Sequence, residues 1–228
     1  LLNLSDNMDF PVFDDIDIKK ISDIEIAVAR DKAFSFIYPD NIDILERLGC
    51  KIKYFSPLND KKLPENISGI ILSGGYPEIY AEKLSENKSM ISDIKSAYKK
   101  NIPIIAECGG FMYLNEYIGK YRGVGIIPAK AFKTERLQRF GYINLKAEKD
   151  NIFCKKGEIF PAHEFHYWDS TDCGEDFTAE KLSNGKTWKC IHSGENYYMG
   201  FPHIYFYSNP DIAVNFVRKC MKYNENIS

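Results

Sequence analysis

Apolar positions along this chain recur first with strand-like and then with helix-like spacing, and the alternation repeats. Ile24-Glu-Ile-Ala-Val-Ala-Arg30 alternates and then runs apolar, the pattern of a strand buried on both faces. The loop from Asp31 to Asp40 follows, with Asp40 placed to cap a helix that reaches Leu48 and is ended by Gly49. Lys51 to Phe55 predicts a second strand, broken by Ser56-Pro-Leu-Asn-Asp60. Gly69-Ile-Ile-Leu-Ser-Gly-Gly-Tyr-Pro77 is a third apolar strand that runs into a double glycine. Glu78 to Leu84 and Lys88 to Lys100 have helical spacing, the second with Ile91, Ile94 and Tyr98 on one stripe. Strand and helix therefore alternate from about residue 24 to about residue 118, which predicts a parallel sheet with right-handed crossovers.

Beyond Gly119 the pattern changes to short strands punctuated by glycine: Gly123 to Pro128, Gly141 to Ala147 and Glu158 to Tyr167. Antiparallel strands added to the sheet and crossing the site are expected there. An aromatic-rich segment, Glu195 to Tyr207, contains His203, and Asn209-Pro-Asp211 caps a final helix to about Tyr223.

The sharpest local signal is Pro103-Ile-Ile-Ala-Glu-Cys-Gly-Gly-Phe-Met-Tyr-Leu114, an apolar run that stops on a cysteine, two glycines and a helical pattern. Strand, sharp turn and helix would push the Cys108 side chain out of the fold. The glycines permit close backbone approach, and the helix start favours a thiolate. The Gly109 N–H would point to where an oxyanion forms. This stretch alone fits a nucleophile and equally fits a small buried hydrophobe at the end of a core strand.

Composition narrows the field. With 228 residues, 44% hydrophobic, the chain can bury a sizeable core and is expected to form one domain, residues 23–228. Residues 1–22 are polar, acidic and aperiodic, as a linker remnant from a preceding domain would be. The net charge of −2 comes from 30 basic and 32 acidic residues with no long run of one sign, so no nucleic-acid surface is expected. Six scattered cysteines without a Cys-x-x-Cys pair argue against a zinc site or disulfide scaffold and for a reducing compartment. No apolar run approaches the roughly 18 residues of a membrane span. A cytoplasmic protein without membrane contact is expected, and the sequence does not fix its oligomeric state.

A cysteine nucleophile needs a base, and the candidates are His163, His166, His192 and His203. His203 stands just ahead of the last helix, where it can reach an elbow at the sheet's carboxyl end. His192 lies in a polar turn expected at the surface. His163-Glu-Phe-His166 lacks the helical spacing of a metal motif, and no metal site is expected. Gly74-Gly75 belongs to no nucleotide-binding motif, which leaves an oxyanion role or a plain tight turn. Arg136 and Arg139 are either surface charges or a carboxylate clamp.

Six segments appear in order: Ala29-Arg-Asp-Lys-Ala-Phe-Ser-Phe, Phe55-Ser-Pro-Leu-Asn-Asp, Ser73-Gly-Gly-Tyr-Pro-Glu, Ala106-Glu-Cys-Gly-Gly-Phe-Met-Tyr-Leu, Arg136-Leu-Gln-Arg-Phe-Gly-Tyr and His163-Glu-Phe-His-Tyr. Together, over residues 24 to about 217, they resemble the C-terminal class I (triad-type) glutamine amidotransferase domain of cobyrinic acid a,c-diamide synthases. The resemblance implies an α/β, flavodoxin-like fold whose mostly parallel central sheet is flanked by helices, with added antiparallel strands. It implies glutamine as substrate and ammonia passed to an N-terminal synthetase domain that uses ATP and Mg²⁺ and holds most of the corrinoid contacts. No cofactor is expected in this domain itself. Related enzymes act on hydrogenobyrinate or a nickel tetrapyrrole, and a non-catalytic docking module is the alternative of a different class.

Carried over by position, the resemblance makes Cys108 the nucleophile and His203 its activator, with oxyanion N–H groups from Gly75 and Gly109. Gly74 and Arg136 are expected at the substrate, Arg136 on its α-carboxylate. Many triad amidotransferases carry a glutamine four residues after the nucleophile and a glutamate two after the histidine; here Met112 and Tyr205 stand there. A Cys-His dyad is therefore expected, with Glu164 the candidate to orient it or contact substrate.

Overall fold

In the computed structural model, which describes residues 18–227, the first half of the chain is built from β1 (Glu25–Ala29), α1 (Pro39–Arg47), β2 (Lys51–Phe55) and β3 (Ile67–Leu72). A 3-10 turn over Pro77–Tyr80 leads into α2 (Ala81–Glu86), α3 (Lys88–Lys99), β4 (Ile104–Glu107) and α4 (Gly109–Leu114). Strands dominate the rest: β5 (Asn115–Ile118), β6 (Tyr121–Arg122), β7 (Ile127–Lys133), β8 (Arg139–Ala147), β9 (Ile159–His166), β10 (Trp168–Ser170), β11 (Phe177–Lys181) and β12 (Thr187–Cys190). After them come β13 (His192–Ser193), β14 (Tyr197–Gly200) and the closing helix α5 (Pro210–Ile227). Residues 1–17 of the expected linker lie outside the described residues. In the remainder, Ile18 and Ile21 pack on the core and the Ser22 hydroxyl donates to the Leu48 carbonyl.

The central sheet has the order β13-β14-β4-β3-β1-β2, parallel except for β13. Its inner strands β1, β3 and β4 are almost wholly buried because both faces are covered, while the edge strand β2 keeps Lys51 and Tyr54 exposed. The period-two alternation divides them: Ala27, Ala29, Ile104 and Ala106 face a core shared with α2, α3 and α4. Ile26, Val28 and Ile105 face a second core completed by Ile44 and Leu45 of α1 and by Ile212, Phe216 and Val217 of α5. Phe216 and Val217 are fully buried, each contributing roughly 1.5–3 kcal/mol.

The later strands mostly pair among themselves, in two four-stranded sheets ordered β10-β7-β5-β6 and β12-β11-β8-β9; only β13 joins the central sheet antiparallel. Sequence spacing also misplaces some boundaries. Asp40 is not a cap: Pro39 opens α1, Tyr38 holds the N-cap position with extended backbone, and the Asp40 carboxylate instead accepts the Tyr205 hydroxyl at 2.6 Å. The helix after the elbow ends at Leu114, because the Asn115 side chain donates to the Phe111 carbonyl and residues 115–118 pair with β7. The buried seam of α3 is Met90, Ile94 and Ala97, with Ile91 and Tyr98 only partly covered. No described helix is long and apolar enough to cross a membrane.

Candidate active site

Four adjacent strands, β1, β3, β4 and β14, end at the same edge of the sheet, and the chain reverses direction of spread on either side of β1. Carboxyl ends at such a reversal form a crevice. The loops leaving these strands carry residues 30–36, 73–76, Cys108 and 201–203 into one place.

Cys108 joins β4 to α4 with φ 47° and ψ −101°, in a region an L side chain seldom adopts. Such a residue costs of order 1–3 kcal/mol and persists where its surroundings hold it. Here the Cys108 N–H donates to Gly200 of β14 at 2.8 Å, and its carbonyl accepts the Met112 N–H at 2.9 Å. Burial raises the thiol pKa values of the other five cysteines, Cys50, Cys154, Cys173, Cys190 and Cys220, so they are poor nucleophiles at neutral pH.

The two candidate oxyanion peptides lie side by side. A Cβ on Gly109 would stand 2.9 Å from the Gly75 nitrogen, and one on Gly75, whose φ is +149°, would meet the Ala33 carbonyl at 2.2 Å. Among the described residues neither the Gly75 nor the Gly109 N–H has an acceptor. The loop after β1 fixes this turn: Tyr76 donates to the Ala33 carbonyl at 2.9 Å, and Phe36 to the Gly74 carbonyl at 3.1 Å. Asp31 shapes that loop by accepting the Ala33, Phe34 and Leu58 N–H groups and the Ser56 hydroxyl. A Cβ on Gly74 would fall 2.5 Å from His203 Cε1, so Gly74 makes room for the imidazole rather than a ligand.

His203 is held through its backbone, which exchanges hydrogen bonds of 2.8 and 3.0 Å with His163 of β9. Its ring is 5% exposed, packs edge-on to Phe36 at 4.6 Å and lines the same cavity as the Cys108 thiol. On the other side its Nδ1 lies 3.5 Å from Glu107 Oε2, an ion-pair distance rather than a hydrogen bond. The second Glu107 oxygen accepts the Ile204 N–H at 3.0 Å. Burial pushes the imidazole pKa down, but Cys108 and Glu107 together outweigh it and raise it to about 10.

Glu107 is the residue that sequence reasoning missed. Its one signal was a charge closing an apolar run directly before the cysteine, which resembles an ordinary strand end; in the fold it is 8% exposed and faces the histidine. Tyr205, two residues after His203, is turned to Asp40. Glu164 does not approach His203: its fully buried carboxylate bonds His166 Nε2 at 2.9 Å and faces Arg139 Nη1 at 3.5 Å. That pair supports the site wall, since the His166 ring stacks on Phe201 at 3.9 Å. Arg136 lies exposed on the turn between β7 and β8, and its carbonyl accepts the Thr134 hydroxyl and the Gln138 amide. His192 is half-buried on β13 rather than in a surface turn. No group of three metal-ligating side chains occurs among the described residues.

A cavity of about 370 Å³ opens over the thiol, walled by Phe36, Gly75, Glu78, Met112 and His203 and by residues 165–168 of β9 and β10; Arg136 does not line it. A Cys-His pair beside two peptide N–H groups that lack acceptors among the described residues can attack a carbonyl and hold the resulting oxyanion.

The comparisons with known proteins agree with that chemistry. Residues 25–210 match the CobB/CobQ-like glutamine amidotransferase domain. A cobyrinate a,c-diamide synthase from Fusobacterium nucleatum is 47% identical over 194 residues, covering 81% of this chain and 42% of that protein. One from Caldanaerobacter subterraneus is 36% identical over 213 residues, covering 90% of this chain and 47% of that protein. The chain thus spans about half the length of the curated relatives it matches. In fold it is similar to the solved PurLQS structure from Thermotoga maritima, with TM-score 0.60 at 18% identity, covering 89% of this chain and 99% of that one. This chain belongs to the CobB/CobQ-like glutamine amidotransferase domain family.

Proposed function

We propose that this chain is the glutamine-hydrolysing part of an ATP- and Mg²⁺-dependent cobyrinate a,c-diamide synthase, with Cys108 as nucleophile and His203 as acid and base. The observation that carries the reading is the strained elbow thiol sharing one cavity with a buried histidine that Glu107 backs from the far side. The thiolate adds to the γ-carboxamide carbon of glutamine, and the Gly75 and Gly109 N–H groups take the oxyanion. Imidazolium donates its proton to the departing nitrogen, so ammonia leaves and a γ-glutamyl thioester remains. Water, deprotonated by His203, then adds to the thioester, releasing glutamate and restoring the thiol.

Ammonia would pass to a synthetase half within the length of the relatives that this chain does not span, where the a and c carboxylates of the corrinoid would be activated with ATP. An exposed aromatic rim, Phe140, Tyr142, Phe165 and Tyr167 on β8, β9 and the turn after them, supports that half seating on this face. Phe165 and Tyr167 also line the cavity, so a partner covering them would keep the released base from water.

The test is peptide mapping after treatment with a glutamine-mimicking diazo-ketone. Stoichiometric labelling at Cys108, abolished in Cys108→Ser and slowed in His203→Ala, is expected; labelling at another cysteine would overturn the assignment.

A further inference from the structure

The cavity over Cys108 has an uneven charge inventory. No lysine or arginine lines it, and among its lining residues Glu78 is the one acid. Glu78 lies three residues beyond Gly75, in the 3-10 turn that follows the oxyanion loop. No ion pair or side-chain hydrogen bond reaches its half-buried carboxylate among the described residues. Every other acid held close to the site has a partner: Glu107 has His203 and the Ile204 N–H, and Glu164 has His166 and Arg139. Burial raises the Glu78 carboxyl pKa, a cost that a cation arriving in the cavity would remove.

Glutamine brings such a cation. Its α-ammonium is joined to the reacting carboxamide through three carbon atoms, so a substrate anchored at the thiol places its charged end within the same cavity. We propose, resting on the glutamine-hydrolysing function above, that Glu78 is the specificity residue of this site and pairs with the substrate's α-ammonium. The cavity then selects γ-carboxamides bearing a free α-amine over those that lack one. The arrangement also accounts for an acid that would otherwise be left unpaired beside a nucleophile whose attack builds negative charge. Carboxylate and oxyanion loop share one turn, so binding the amine and positioning the carbonyl oxygen are coupled through residues 75–78.

The experiment measures protection of Cys108 from iodoacetamide in this chain, by peptide mass, with glutamine and with glutaramate, its analogue lacking the α-amine. In the unaltered chain glutamine is expected to protect at about 10-fold lower concentration than glutaramate. In Glu78→Gln the glutamine requirement should rise about 10-fold while that for glutaramate stays within about twofold, erasing the discrimination. Glu78→Asp, which keeps the charge, should recover part of it. Equal weakening of both ligands in Glu78→Gln would show a structural role and overturn the proposal. So would retained discrimination. If neither ligand protects the unaltered chain, the glutamine-hydrolysing function itself falls, and the role of Glu78 with it.

Discussion

Glu107→Gln isolates the charge behind the histidine with little change of shape. Glutamine keeps an oxygen to accept the Ile204 N–H, now accepted at 3.0 Å, and replaces the oxygen 3.5 Å from His203 Nδ1 by an uncharged group. Two effects compete at the ring, which is 5% exposed: burial disfavours imidazolium, and the Cys108 and Glu107 partners favour it strongly enough to raise its pKa to about 10. An opposite charge this close shifts a pKa by roughly 1–3 units, so removing the Glu107 charge should lower the imidazole pKa by about 1–2 units. Inactivation by a diazo-ketone reports the imidazole proton, since the diazo carbon takes a proton before the cysteine sulfur displaces dinitrogen. In the unaltered chain the rate should hold up to about pH 10 and then fall as His203 deprotonates. In Glu107→Gln the alkaline limb should move down by about 1–2 units, with the neutral-pH rate changed far less. An unmoved alkaline limb would refute the role of the Glu107 charge, whatever happened to stability.

Two further outcomes follow from the same geometry. Gly74→Ala, whose new Cβ would fall 2.5 Å from His203 Cε1, should displace the ring from the thiol. Overpacking of this kind costs about 1–3 kcal/mol, so thermal unfolding should come about 2–10 °C lower and Cys108 labelling should slow at least about 10-fold; an unchanged labelling rate would contradict the placement. Stability should also depend on pH through His203: with its folded pKa raised from 6.5 to about 10, its contribution is fully present below about 6.5 and is lost as pH rises through about 10. Urea midpoints for the unaltered chain should therefore decline across that window relative to His203→Gln, and parallel curves would count against a charged buried imidazole.

Much of the first half was legible because local chemistry decides it. The strands at Ile24, Lys51, Gly69 and Pro103 are short apolar runs closed by glycine, proline or a charge, and each lies within two residues of its observed start. The elbow was legible for the same reason. Where pairing is non-local the pattern failed: Asn115–Ile118 has helical spacing as a sequence and becomes a strand because β7 lies beside it. β8 and β9 were placed on the central sheet, but their partners, each other and β11, lie up to forty residues apart and are not encoded in period alone. At the site, residues with a distinctive neighbourhood, Cys108 and the glycines, could be found. Glu107 and Glu78 could not, since a carboxylate's value there comes from what faces it across loops of four strands.

The carboxylate that backs His203 and the thiol that meets it are consecutive residues, and this frees another position. One peptide bond fixes their Cα atoms about 3.8 Å apart, so any drift of β4 along its neighbours carries both together and preserves their relation by covalent geometry. The segment following the histidine is relieved of supplying a charge. Tyr205 uses that liberty to tie α1 to the mouth of the site through Asp40, a brace that a carboxylate at the same position would repel. Glu107, beside the elbow cysteine, thus leaves the position two residues after His203 open to an uncharged side chain.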